Sequence, residues 1–457
     1  MQNKKYNHAV EEKKISNFWI KNGSFKPKKN RKRFSMVIPP PNITGRLHMG
    51  HALNNSLQDV LVRFYRMKGF ETLWQPGTDH AGIATQAIVE KKLEKEGIDK
   101  NKLGRDEFIN NIWKWKEESG GIIIEQLKKL GCSCDWSRTR FTMDTDLSKA
   151  VIKVFVRLYN EKLIYKDKKL VNWDTHLQTA ISDLEVVQKD VQSKLYYIDY
   201  EIENLKKKIT IATTRPETMM GDTAIAVNPN DKRYKELVGQ NVKIPIINRV
   251  IKIIADNYAD PDQGSGAVKI TPAHDFNDYE VGKRNNLEII NIFEKDGKIN
   301  NLGPKEFIGL DRFEARELLV KKLKNEGNLV KIESIKNKVP YGDRSNTIIE
   351  PLLTEQWFVN AKKLSIKPIK IVKNRKTSFY PNNWTKTFFQ WMENIEPWCI
   401  SRQIWWGHRI PAWYDEKKNI FVAETFKEAK ILAKKKNKNV KFNLIQDKDV
   451  LDTWFSS

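Results

Sequence analysis

The chain has 457 residues, 40% of them hydrophobic, with 14 Trp and a formal net charge of +24. That length excludes a single small domain and points to two or three. No run approaches eighteen apolar residues, which excludes a membrane-spanning helix, and the start of the chain lacks an apolar targeting core and carries Glu11 and Glu12. Cys132, Cys134 and Cys399 make no disulfide framework and fit a reducing, cytoplasmic setting. Cys132-Ser133-Cys134 is also spaced too tightly for a zinc hairpin. The positive charge fits contact with a polyanion. It fits equally a composition rich in Lys, Asn and Ile, and the basic runs Lys26 to Arg33 and Lys434 to Lys438 fit solvated surface.

In chain order, residues 1–33 read as a helix around Phe18 and Trp19 followed by a basic linker. Phe34 to Ile38 is a short apolar run before three prolines, the signature of a buried strand. From about His51 the apolar period becomes 3.6, with Leu53, Leu57, Val60, Leu61, Phe64 and Tyr65 on one expected buried face. Gly69 ends this helix, and Glu71 to Trp74 reads as a second strand. Strand, helix and strand in this order imply a βαβ unit and a parallel sheet. Residues 86–165 are mostly helical in pattern, with Trp113 and Trp115 in one amphipathic stretch. Near residue 189 the texture turns to alternating strands, and this continues, with a helix near 311–325, to about residue 335. The fold class is therefore α/β, a parallel domain (34–188 and 336–457) interrupted by an inserted β-rich domain (189–335).

The stretch Pro39-Pro40-Pro41-Asn42-Ile43-Thr44-Gly45 leads into His48-Met49-Gly50-His51, where the first helix begins. In a parallel sheet, ligands bind where strands lead into helices. A helix N-terminus favours an anion through its free N–H groups and its dipole. Two histidines three apart share a helix face there, and each can donate to a phosphate oxygen. Gly50, without a side chain, admits a flat ring or backbone at close range. A metal site would need a third ligand in a frame such as H-E-x-x-H, which is absent, and neither GxGxxG nor GxxxxGK[ST] occurs. A packed structural pair remains the plain alternative.

His48-Met49-Gly50-His51 resembles the HIGH signature of class I aminoacyl-tRNA synthetases, whose histidines cradle ATP. The likeness runs through nearly the whole chain from Ser35. Pro76 to Gly82, Asn172-Trp173, Ile181 to Glu185, Thr213 to Asp222, Gly266 to Tyr279, Trp398 to Tyr414 and Asp449 to Ser457 resemble the valyl branch of that family. The resemblance implies a nucleotide-binding (Rossmann-like) catalytic domain interrupted by an editing domain. It implies ATP with Mg2+, valine and tRNA(Val) as substrates, and no membrane. His48, Gly50 and His51 would bind ATP, with His48 and His51 catalytic. Pro40, Asn42, Asp79 and Trp405 would bind valine, with Asp79 on the ammonium; its competing reading is a helix cap.

An apolar pocket rejects an added hydroxyl poorly, and the handling of threonine by valyl enzymes is the standard illustration, with a second hydrolytic site as the remedy. Thr213 to Thr218 and Lys269 to Asp278 resemble the halves of that editing site. Asp275 and Asp278 would bind the threonyl ammonium and hydroxyl. Arg215 and Lys269 would hold the tRNA end, and Thr218 and Thr271 would shape the pocket. His274, Asp275 and Asp278 also have a metal-site reading, and the loop has a helix-capping one. The segments after Trp173, Pro340 and Tyr414 carry no thiolate, so no structural zinc is expected. The family's KMSKS signature and anticodon-binding bundle have no counterpart here. Either the chain is a fragment or a second polypeptide carries them. A stand-alone deacylase and a tRNA-binding remnant are the rival readings.

Overall fold

The computed structural model describes residues 6–29, 32–437 and 442–457, so Asn30, Arg31 and Lys438 of the two basic runs lie outside the described residues. The chain forms two compact units, Met1–Ile164 with Lys363–Thr385 and Ile400–Ser457, and Tyr165–Lys362 with Lys386–Cys399. Among the described residues no helix is long and apolar enough to cross a membrane.

In the first unit, strand Arg33–Val37, helix Met49–Met67 and strand Glu71–Gln75 follow one another. The two strands pair in parallel from Arg33 opposite Glu71 to Val37 opposite Gln75. Gly69, at φ 81°, turns the chain from helix to strand in a conformation that costs a non-glycine residue roughly 1–2 kcal/mol. Ile38, Val62, Trp74, Ile123 and Leu127 form the core beneath. Helices Gly82–Lys95, Arg105–Lys129 and Thr145–Asn160 complete the predicted helical run.

The face of helix Met49–Met67 expected to be buried is largely open. Leu53, Leu57, Val60, Leu61 and Phe64 are all exposed, and the helix buries Asn55 and Val62 instead. Tyr65, of the predicted set, packs inward, stacking on Phe34 at 3.9 Å, with Phe64 edge-on to it at 5.6 Å. The reason is width. Strands lie about 4.8 Å apart, so a sheet of two strands is too narrow to cover a broad apolar helix face.

The second unit is built on a seven-stranded sheet. Its long strands Val186–Ile202 and Leu329–Gly342 pair antiparallel from Ile198 opposite Leu329 to Val186 opposite Gly342. Strand Lys208–Thr213 pairs on the other side of Val186–Ile202. Ala224–Val227 lies between Val250–Ala255 and Ala267–Ile270. A second, four-stranded sheet includes Ile164–Asp174 and Glu350–Val359. The compact unit is thus wider than the 189–335 insert read from texture, and residues 336–362 stay with it. Both of those limits fall inside strands, because a change of residue pattern reports which faces are wet, not where pairing stops.

Candidate active site and a second polar site

His48 is the N-cap of helix Met49–Met67, in extended backbone at φ −117° and ψ 174°. Its Nδ1 accepts the Gly50 N–H at 3.1 Å, and the Nδ1 of His51 accepts the His48 N–H at 3.2 Å. These reciprocal bonds satisfy two orphan donors of the helix start. They also point to the tautomer: with both Nδ1 atoms accepting, the ring proton sits on Nε2 in each. Burial and the neighbouring His48 lower the pKa of His51. The rings lie 4.0 Å apart. A Cβ on Gly50 would sit 2.9 Å from His48 Cε1, so glycine is needed for the ring to close over the helix start. The flat ring that Gly50 admits is the chain's own.

His48 and His51 line an open cleft of about 500 Å³ together with Pro40, Asn42, Arg46 and Gly50. Five of the predicted substrate residues therefore converge: Pro40, Asn42, His48, Gly50 and His51. Asp79 and Trp405 are not among the lining residues. Asp79 lies just behind, bridged strand-fashion to Asn42, with its N–H donating to the Pro41 carbonyl at 2.9 Å. Its Oδ1 accepts the Ala81 N–H at 2.7 Å, and Ala81, not Asp79, is the N-cap of helix Gly82–Lys95. Burial raises the Asp79 pKa against hydrogen bonds from Ser457 and Ala81. A cation beside it would offset that desolvation. Ala81 itself takes the left-handed conformation at φ 47°.

Trp405 packs edge-on to Phe108 at 5.6 Å, and Lys100 sits over its ring. The neighbouring Trp406 is buried and donates from Nε1 to the His80 carbonyl at 2.8 Å. Gln86 accepts both of their backbone N–H groups, at 2.8 and 3.0 Å. His80 and His408, which sequence reading passed over, meet edge to face at 5.2 Å. Burial pushes each of them down to about 4. They are neutral packing behind Asp79, and nothing in their spacing could have announced it.

In the second unit, Thr218, Lys269, Thr271 and Asp278 converge, and all four are buried. The Lys269 ammonium donates to Thr218 Oγ1 at 2.7 Å, to Asp222 Oδ1 at 3.1 Å and to Thr271 Oγ1. Asp278 Oδ2 accepts the Thr271 N–H at 2.8 Å. Burial, with Asp275 nearby, pushes the Asp278 carboxyl up to about 7. Asp275 caps helix Phe276–Arg284, accepting from Asn277 and Asp278 N–H at 2.8 and 3.1 Å, as the capping alternative had it. His274 accepts the Ile292 N–H on Nε2, which occupies that lone pair. Among the described residues no group of three or more candidate metal ligands is gathered.

Arg215 is held at each of its nitrogens. It bonds Glu350, the His274 carbonyl at 3.0 Å and Glu217 at 3.4 Å. Glu217, buried, also takes both arms of Arg316 at 2.7 and 2.8 Å. Burial opposes the charge on Glu217, yet Arg316 and Arg215 hold its pKa below the ordinary value. Arg215 is thus part of a buried ion network, and the expected hold on a tRNA end would need it to leave these partners. Glu217, Asp222, Arg316 and Glu350 were missed, because, apart from Arg215 and Glu217, these ion partners lie far apart in sequence and leave no local pattern.

A parallel βαβ start, a histidine pair capping a helix N-terminus and a second unit inserted into the first describe a nucleotide-handling enzyme class. The family model for tRNA synthetases class I (I, L, M and V) matches residues 14–457, and the chain belongs to that family. It is 69% identical over 458 residues to the valine–tRNA ligase of Pelagibacter ubique, covering all of this chain and 52% of that protein. To the valine–tRNA ligase of Caulobacter vibrioides it is 54% identical over 462 residues, covering 96% and 51%. The chain spans about half the length of the curated relatives it matches. A solved LeuRS–tRNA–LeuAMS complex from Agrobacterium radiobacter K84 aligns at TM-score 0.46 and 18% identity, over 99% of this chain and 59% of that one.

Proposed function

We propose that the chain is the part of a valine–tRNA ligase that carries the ATP- and valine-binding half of the catalytic domain together with the editing domain. The observation that carries the reading is the Nδ1 hydrogen bonding of His48 and His51, which leaves both Nε2–H groups as donors on an open cleft. In adenylate formation the valine carboxylate oxygen bonds the α-phosphorus of ATP as the bond to pyrophosphate breaks. Two N–H donors at a helix N-terminus stabilise the charge that grows on the phosphate oxygens, without a proton having to move. Asp79, desolvated and bridged to Asn42, supports an ammonium site. Magnesium enters with ATP as part of the substrate. tRNA(Val) is the acceptor, and the second site hydrolyses threonyl-tRNA(Val), with Asp275 and Asp278 on the threonyl group. The setting is cytoplasmic.

The open apolar face of helix Met49–Met67 supports a partner reading: the family's remaining half, on the same or a second polypeptide, packs there and supplies the KMSKS loop and the anticodon-binding domain. The test is valine-dependent ATP–pyrophosphate exchange. The chain alone should exchange very slowly, and mixing it with the family's other half should raise the rate by orders of magnitude. His48→Ala with His51→Ala should then remove most of that gain. Full exchange by the double variant would refute the assignment. A stand-alone deacylase is favoured by one observation, the well-buried core of the second unit. Hydrolysis of threonyl-tRNA by the chain without any partner would agree with it, and pyrophosphate exchange on mixing would exclude it as the whole function.

A further inference from the structure

Asp222 lies beneath the Thr218–Thr271 site with no exposed surface, and no role follows for it from the sequence. Its Oδ1 accepts from Lys269 at 3.1 Å and from the Thr271 hydroxyl at 2.6 Å, and its Oδ2 accepts from the Tyr200 hydroxyl at 2.8 Å. Arg249 secures its carbonyl at 2.8 Å. The proton directions follow. Thr271 gives its hydroxyl proton to Asp222 and accepts from Lys269, while Thr218 gives its own to the Arg215 carbonyl at 3.0 Å and also accepts from Lys269. All three ammonium protons of Lys269 are thereby engaged.

We propose that Asp222 is a positioning residue of this site: its carboxylate holds Lys269 and Thr271 in place and screens Asp278 from the charge of Lys269. The path is short. Asp222 orients the Thr271 side chain, and the Thr271 N–H holds the Asp278 carboxyl at 2.8 Å. The charged groups facing Asp278 are Asp275 and Asp222, which favour its protonated form, and Lys269, which opposes them; Tyr258 is the neighbouring phenol. Burial first, then Asp275 and last Asp222 outweigh Lys269, so Asp278 titrates near 7, where it can both hold and release a proton at neutral pH. Without the Asp222 charge, Lys269 is opposed by Asp275 alone and draws the titration to lower pH.

The role in hydrolysis rests on the editing reading above, but the titration does not. In the full chain labelled at aspartate 13Cγ, one carboxyl should titrate near 7 and vanish in Asp278→Asn. In Asp222→Asn that midpoint should move to lower pH, and the acid limb of threonyl-tRNA hydrolysis should move with it. Lys269→Met should shift the midpoint the other way, and it decides the matter if Asp222→Asn fails to fold. Midpoints unchanged in both variants overturn the proposal. A wild-type chain that titrates as described yet never hydrolyses threonyl-tRNA would sink the editing reading and leave the positioning role standing.

Discussion

The cleft at His48 and His51 and the cluster at Lys269 use their polar atoms in opposite ways. In the cleft, each imidazole directs one nitrogen to the backbone and leaves the other free beside open space. In the cluster, ammonium, hydroxyls and carboxylates are engaged with one another and buried. The apolar surfaces divide in the same sense. The second unit buries a broad core from Val171 to Phe358, while the first leaves a run of leucines on a helix in water. The contrast separates a site whose polar groups satisfy one another from one whose imidazole nitrogens and apolar helix face are open to solvent.

The contrast would break most visibly at Glu217. Replacing it with Ala removes a fully buried carboxylate from two partly exposed arginines, Arg215 and Arg316, and should cost toward the lower end of about 3–5 kcal/mol, read by denaturant unfolding of the full chain. The next largest effect concerns pH. Asp278 titrates near 7 in the fold against an ordinary value of 3.8, so the folded state binds the extra proton between those limits. Stability should therefore fall as pH rises from about 4 to 7, by at most about 4 kcal/mol. Asp278→Asn should flatten that slope, and an unchanged slope would contradict the buried acid.

Smaller effects sharpen the open side. Gly50→Ala forces the His48 ring aside and should weaken ATP binding by roughly tenfold, about one hydrogen bond, with little change in melting; calorimetric titration of ATP into both proteins decides this. Smallest is Leu57→Gln with Leu61→Gln, within about 0.5 kcal/mol in this chain because both side chains are already exposed. The same pair should impair pyrophosphate exchange once the family's other half is supplied, and an unimpaired mixture would mean that half packs elsewhere.

Much of the first site was legible in the sequence because its parts are local. A strand, three prolines, a glycine and two histidines at helix spacing lie within twenty residues, and short-range sterics and capping place them. The strand–helix–strand order and the helices to residue 160 follow from periodicity for the same reason. The partners of Asp222, by contrast, come from Tyr200, Lys269 and Thr271, and Glu217 adds the distant Arg316 to its neighbour Arg215. Burial makes such pairings obligatory, because an unpaired charge in the interior is costly, but only the fold decides which residues meet. Likewise, period 3.6 marked helix Met49–Met67 as amphipathic, yet whether its apolar face is covered depends on how many strands lie beside it, a property of the assembled sheet and not of the helix.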